Sequence, residues 1–336
     1  MPESLDVVTL AQRLMSIDST SGREGELMTH VHALLEQRAW TVTRIPVSEG
    51  RFAVFARTGD APFVTLSTHL DTVPPFIAPR LDGDVLWGRG ACDAKGIAAA
   101  MICAGDVLRA EGAPVALLFV VGEEVTHDGA HASDDWIVKS GLTSRAIVDG
   151  EPTESMLGSG TKGAMRATVR TTGEPAHSAY PHLGHSAIDD LVALLAQLPA
   201  LEFPHSALFG PTTVNIGHIS GGVADNVVAP WAEARLMART VSPAEDVMRV
   251  FERWAAGRAT VEQGVTVPPV KLGVVPGFET SVVAFATDIP ALGNWGTPYL
   301  FGPGSIHVAH RDDEHVRVDE LRAAVDAYAR IARALA

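Results

Sequence analysis

Cysteine is almost missing from this chain: Cys92 and Cys103 are the only two in 336 residues. That excludes a disulfide scaffold and a paired-thiolate zinc site, and a reducing cytoplasm is the compartment it suits. Positive charge is also short, with 26 basic against 40 acidic residues and a net charge of −14, so neither a nucleic-acid backbone nor an anionic membrane surface is expected as a partner. No apolar run is long enough to span a bilayer, and the first residues carry Glu3 and Asp6 in place of an apolar targeting core. A soluble protein without a leader is therefore expected. A Walker A loop, a GxSxG elbow and an HExxH helix are all missing. Gly158, Gly160 and Gly163 satisfy GxGxxG, but the residues after them alternate as a strand and open no helix, which excludes a dinucleotide site. What is there, at 46% hydrophobic and 20% charged, is the composition of an ordinary globular protein long enough for two domains.

Apolar periodicity predicts helices over 5–15 and 24–38, separated by the breakers Ser19 to Gly22. Short strands are predicted over 40–45, 52–56 and 63–68, a buried helix over 97–110, and strands over 115–121 and 145–148. Strands alternating with helices imply an α/β fold with a mixed, largely parallel sheet flanked by helices. After Gly158 the pattern changes to strand 162–171, helix 186–198, strands 212–219 and 231–240, helix 244–256 and strand 265–272. That order is βαββαβ, the ferredoxin-like arrangement. The α/β character resumes with a strand over 299–301 and a terminal helix over 318–335. We therefore expect one domain of 1–158 and 273–336, with a second, 159–272, inserted into it.

Chemistry gathers at the ends of the predicted strands. His69 follows one apolar strand, Glu123 and Glu124 another, and Glu151 a third; Asp93 opens the buried helix, and His310 lies in the loop before the last one. In open α/β sheets such ends are where sites are assembled. Imidazole and carboxylate donors suit zinc, cobalt or manganese, and a bridging carboxylate holds two cations at the spacing used in two-metal hydrolysis. Glu123 and Glu124, being adjacent, point apart on an extended backbone, which suits one as ligand and the other as proton shuttle.

The segments HLDTVP, GRGACDAKG, GEE, GEPT and GPGSIHVAH, in this order, resemble the two-zinc amidohydrolase family of acetylornithine deacetylase, succinyl-diaminopimelate desuccinylase, aminoacylase and glutamate carboxypeptidase. The resemblance spans most of the chain and implies a zinc-exopeptidase-like catalytic domain with a lid and dimerisation domain inserted. It implies two divalent metal ions, zinc first and cobalt or manganese next, with His69 and Glu151 on one, Glu124 and His310 on the other, and Asp93 bridging. Glu123 becomes the general base. His177, in GEPAHSAYPHLGHSAI, matches the family's lid histidine, which reaches the active site of the partner subunit and stabilises the oxyanion, so a homodimer is implied.

Asp71, two residues beyond His69, is a candidate for fixing the imidazole's tautomer through its carboxylate; a turn cap is the competing role. Asn226 and Arg239 match positions that contact the substrate's carboxylate end, and arginine favours bidentate carboxylate recognition, although a plain surface arginine has the same sequence signature. Gly304, with Gly302 and Ser305, suits close backbone approach to substrate, or simply a turn. His127, His131, His182 and His185 are read as solvated loop histidines, and Cys92 as a packing residue. The function implied is hydrolysis of the amide of an N-acyl amino acid. The alternatives are a di- or tripeptide exopeptidase with the same site, and an inactive binding protein of the same fold.

Overall fold

The structure is a computed structural model that describes residues 5–59 and 63–336. Residues 1–4 and 60–62, part of the expected first domain and of the N-terminal reading, lie outside the described residues. The chain divides into two compact units: Met1–Ser159 with Leu272–Ser281 and Thr287–Ala336, and Gly160–Lys271 with Val282–Ala286.

In the first unit the sheet runs in the order Thr41–Ser48, Arg51–Arg57, Val115–Val120, Phe63–His69, Ser144–Asp149, Thr297–Leu300 and Leu157–Thr161. Phe63–His69 is parallel to both its neighbours, and Ser144–Asp149 is parallel to Thr297–Leu300; the outer pairings are antiparallel. Every residue of Phe63–His69 and Val115–Val120 is buried, as strands covered on both faces must be. Leu117 and Phe119 join the core with helices Val7–Met15, Gly25–Gln37, Lys95–Ala110 and Val318–Leu335. Leu118 and Val120, pointing the other way by the two-residue period of a strand, pack with Phe55, Phe63, Ile137 and Trp295.

The second unit has four antiparallel strands in the order Thr213–Gly221, Trp231–Thr240, Gly163–Thr172 and Thr260–Val267. Helices Ala187–Leu195 and Ala244–Ala255 supply Leu191, Leu194, Val247 and Phe251 to a core with Met165, Val169 and Leu236. The ferredoxin-like order holds, but its last strand is Thr260–Val267, with only Val270–Lys271 beyond it, and not the predicted 265–272. Pro268 and Pro269, lacking N–H donors, end the ladder there.

Two features escape the sequence pattern. Helix Asp128–Ser140 buries only Gly129, Ala130, Ser133 and Ile137, too small a set to give an apolar stripe. A three-stranded sheet of Arg80–Asp82, Val85–Trp87 and His315–Arg317 is built from runs too short to show alternation. Among the described residues no helix is long and apolar enough to cross a membrane.

Candidate metal centre

Since four strands run the same way, the loops after His69, Val120, Asp149 and Leu300 open at one edge of the sheet. Asp93 arrives from a different direction, at the turn before helix Lys95–Ala110, and its peptide to Ala94 is cis. The two Asp93 oxygens meet different histidines. Oδ1 lies 2.9 Å from His69 Nε2, and Oδ2 lies 3.2 Å from His310 Nε2. Glu151 sits on the first side, 3.7 Å from His69 Nε2, and Glu124 on the second, 2.9 Å from His310 Nε2. A Glu123 oxygen joins the His69 and Glu151 side, where one donor atom from each residue lies within 4.8 Å of the others. His69, Asp93 and Glu151 are buried, whereas the His310 side chain keeps 49% of its surface exposed and marks the open side of the cluster.

The electrostatics are those of crowded carboxylates. Burial pushes the Glu151 carboxyl well above its ordinary range, and Asp93, Glu123 and Asp149 push it the same way. Burial does the same to Glu123, with Asp288, Glu124 and Asp93 adding to it and His69 opposing. Burial disfavours a charged His69, but Asp71, Asp93 and Glu151 outweigh it and leave its pKa well above the usual imidazole value. His310, hydrogen-bonded to Asp93 and Glu124, is raised to about 10. Crowded carboxylates of this kind favour positive charge beside them.

Two anchors hold the loops. Glu314 Oε1 accepts N–H bonds from Gly90 at 2.9 Å and from Cys92 and Asp93 at 3.3 Å, while Oε2 meets Arg89 Nη1 at 2.6 Å in a fully buried pair. The sequence reading missed both residues, because nothing local marks them as partners. Asp71 provides the second anchor, and it holds more than His69. His69 Nδ1 is 3.0 Å from the backbone carbonyl of Asp71 and 3.5 Å from its carboxylate. The carboxylate also accepts the Glu123 N–H at 3.1 Å, the Glu124 N–H at 3.2 Å and the Ser21 hydroxyl at 2.8 Å. Those two glutamates lie in a turn closed on the Gly122 carbonyl, not on the extended backbone expected, which is how both carboxylates reach one cluster.

The remaining candidates are more dispersed. Gly304 is buried at φ +80°, where an added Cβ would lie 2.6 Å from Cys92 Cβ; Ser305 donates its hydroxyl to Glu154 at 2.8 Å. In the second unit His177 is exposed, its Nδ1 accepting the Ala179 N–H at 3.1 Å. Asn226, also exposed, accepts the Ser178 N–H on its carbonyl, and Arg239 is half-buried with its pKa lowered by that burial. His127 is not a solvated loop histidine: its Nδ1 lies 2.8 Å from Asp288 Oδ1.

Residues 159–261 match a family model described as a peptidase dimerisation domain. The chain is 41% identical to a probable carboxypeptidase of Aspergillus terreus, over 96% of this chain and 84% of the relative. It is 36% identical to a peptidase M20 domain-containing protein of Schizosaccharomyces pombe, over 98% and 85%. Among solved structures, a tripeptidase from Staphylococcus aureus superposes with a TM-score of 0.82 at 19% identity, covering 99% of both chains. A dinuclear metal-binding M20 peptidase from Bacillus subtilis does so at 0.71 and 17% identity, covering 98% of each.

Proposed function

Because the chain belongs to the M20 peptidase family, we propose that it is a metal-dependent hydrolase that releases an amino acid from an N-acyl amino acid. The observation that carries the metal assignment is the division of the Asp93 carboxylate between two sets of donors, His69 with Glu151 and Glu124 with His310. The donor set fits divalent cations: the ligands are imidazole nitrogens and carboxylate oxygens, and burial and mutual repulsion push the Glu123 and Glu151 carboxyls upward, a strain that cations would relieve. Zinc suits this set, and so do cobalt and manganese. When bound, such cations polarise the amide carbonyl and acidify the attacking water.

The chain's own residues then divide the work. Glu123, beside the His69 and Glu151 donors, takes the proton from the attacking water and passes it to the leaving amine. Asp71 fixes the turn that carries Glu123 and Glu124. His177, Asn226, Arg239, Gly304 and Ser305 are proposed to meet the oxyanion and the substrate's carboxylate end. The dimerisation-domain match supports a homodimer, and His177 is proposed to act in the partner subunit's site.

A second reading, a di- or tripeptide exopeptidase, is favoured by the names of the relatives. The two readings meet chemically, since the last residue of a peptide is itself an N-acylated amino acid. The test is an assay of N-acetylornithine, N-acetyllysine, N-acetylcitrulline and N-succinyl-diaminopimelate beside a dipeptide panel, with metal analysis of the purified protein. Turnover of the acylated amino acids upholds the proposal, and preference for free-amine peptides transfers it to the second reading. Absence of stoichiometric divalent cation in active protein overturns the two-metal assignment.

A further inference from the structure

The mechanism above leaves one histidine beside the general base unused. His127 ends the turn that begins at Gly122 and carries Glu123 and Glu124. Its backbone is left-handed, at φ +55°, and is fixed there because its N–H donates to the Gly122 carbonyl at 2.8 Å, as the Thr126 N–H does at 2.9 Å. Helix Asp128–Ser140 starts at the next residue, and Asp128 is tied to Arg51 at 2.5 Å. The ring therefore stands on a braced backbone. Its Nδ1 is 2.8 Å from Oδ1 of Asp288, whose side chain is only 3% exposed. One oxygen of Glu123, one ring nitrogen of His127 and one oxygen of Asp288 all lie within 4.8 Å of one another.

We propose that the Asp288–His127 pair positions the Glu123 carboxylate: Asp288 fixes the imidazole through Nδ1, and the ring's other nitrogen hydrogen-bonds to Glu123 and holds it toward the reacting atoms. Imidazole suits the task because Glu123 changes state during turnover. With Nδ1–H held by Asp288, Nε2–H donates to one Glu123 oxygen, which accepts in the carboxylate and in the carboxylic acid alike, while the other oxygen takes and releases the proton, so the contact survives both steps. Asp288 sets the ring's angle by accepting from Nδ1. The chain brings the two together across 161 residues of sequence, from the turn after one strand and the segment before another. His127 is thus a positioning residue acting through Glu123. The proposal rests on Glu123 being the general base.

The experiment uses the full-length, metal-loaded protein and the best N-acyl amino acid or peptide substrate found. His127→Ala is expected to lower kcat by about 10²-fold, the cost of a misplaced catalytic group, with KM and metal content unchanged. His127→Gln, which keeps a hydrogen-bonding group, should recover part of the loss. In a Glu123→Gln background His127→Ala should cost little more, because both changes remove one function. Wild-type kcat in His127→Ala, an undiminished loss in the Glu123→Gln background, or a third equivalent of metal that disappears with His127 would each overturn the proposal. Ring NMR of 15N-labelled histidine gives a readout independent of turnover and of how His127→Ala folds. Glu123→Gln and Asp288→Asn should both shift the His127 signals, and unmoved signals in Glu123→Gln overturn the contact. If the wild type hydrolyses nothing, the functional reading fails by itself, while the NMR result still decides whether His127 holds Glu123.

Discussion

Replacing Asp71 by Asn keeps the shape of the side chain and removes one acceptor, so its cost can be worked from the structure. Oδ1 accepts the Glu123 N–H at 3.1 Å, and Oδ2 accepts the Glu124 N–H at 3.2 Å and the Ser21 hydroxyl at 2.8 Å. An amide has a single oxygen. If it faces Glu123, the Glu124 N–H meets an NH2 group; turned over, it loses the Glu123 N–H instead. The Ser21 hydroxyl can reverse its role and accept, but a backbone N–H cannot. One donor in a buried setting is therefore left unpaired in either orientation, at about 1–3 kcal/mol. Converted at 1.36 kcal/mol per decade, this is a roughly 5- to 150-fold faster native-state hydrogen exchange at one of the two amides, Glu123 or Glu124. The turn that carries the base also loosens, so kcat should fall by about tenfold to 10²-fold in protein that keeps its metal. Asp71→Ala removes acceptors from both amides and should accelerate both. Wild-type protection at Glu123 and Glu124 in Asp71→Asn, with wild-type kcat, would refute the reasoning.

Other perturbations probe the rest of the site. Glu123→Gln should retain metal and lose about 10²- to 10⁴-fold in kcat, the range of general acid–base catalysis; near-normal turnover removes the base assignment. Chelated protein should lose stability as pH rises. Without cations the folded pKa of His310 is about 10 against 6.5 ordinarily, and His69 is raised too, so their contribution is complete below about pH 6.5 and is lost as pH rises toward 10. Glu123 and Glu151, raised above 4.5, destabilise the chelated protein in the same direction as they ionise. Denaturant midpoints of chelated protein that do not fall between about pH 6.5 and 9 would contradict this account. Gly96→Ala places a Cβ 2.1 Å from the Ala91 carbonyl oxygen; the overpacking should cost about 1–3 kcal/mol and lower metal content, checked by denaturation and elemental analysis. Mixing His177→Ala with Glu123→Ala subunits should restore activity if His177 serves the partner's site; proven mixed dimers without recovery count against it.

Much of the frame was legible from local pattern. An apolar, β-rich run announced Phe63–His69, a continuous apolar run announced Val115–Val120, and period-two alternation announced Gly163–Thr172, buried at every second residue. Helix Asp128–Ser140 was not legible, because its packing face is made of glycine, alanine and serine with a single isoleucine, Ile137. Nor was the true end of Thr260–Val267, where two prolines override the β-branched residues around them.

The site divides the same way. Sequence alone determined which groups could bind and transfer protons, because His69, Glu123, Glu124 and Glu151 follow strands whose common direction follows from their alternation with helices, and Asp93 opens a helix. Only the tertiary structure decided how those groups are held. Arg89 meets Glu314 across 225 residues, His127 meets Asp288 across 161, and Asp71, beside its neighbour His69, also gives its carboxylate to the distant Glu123 and Glu124 amides. The physical reason is range. Periodicity and turn chemistry act over a few residues and are written in local order, whereas a buried carboxylate takes whichever donors the folded chain brings to it.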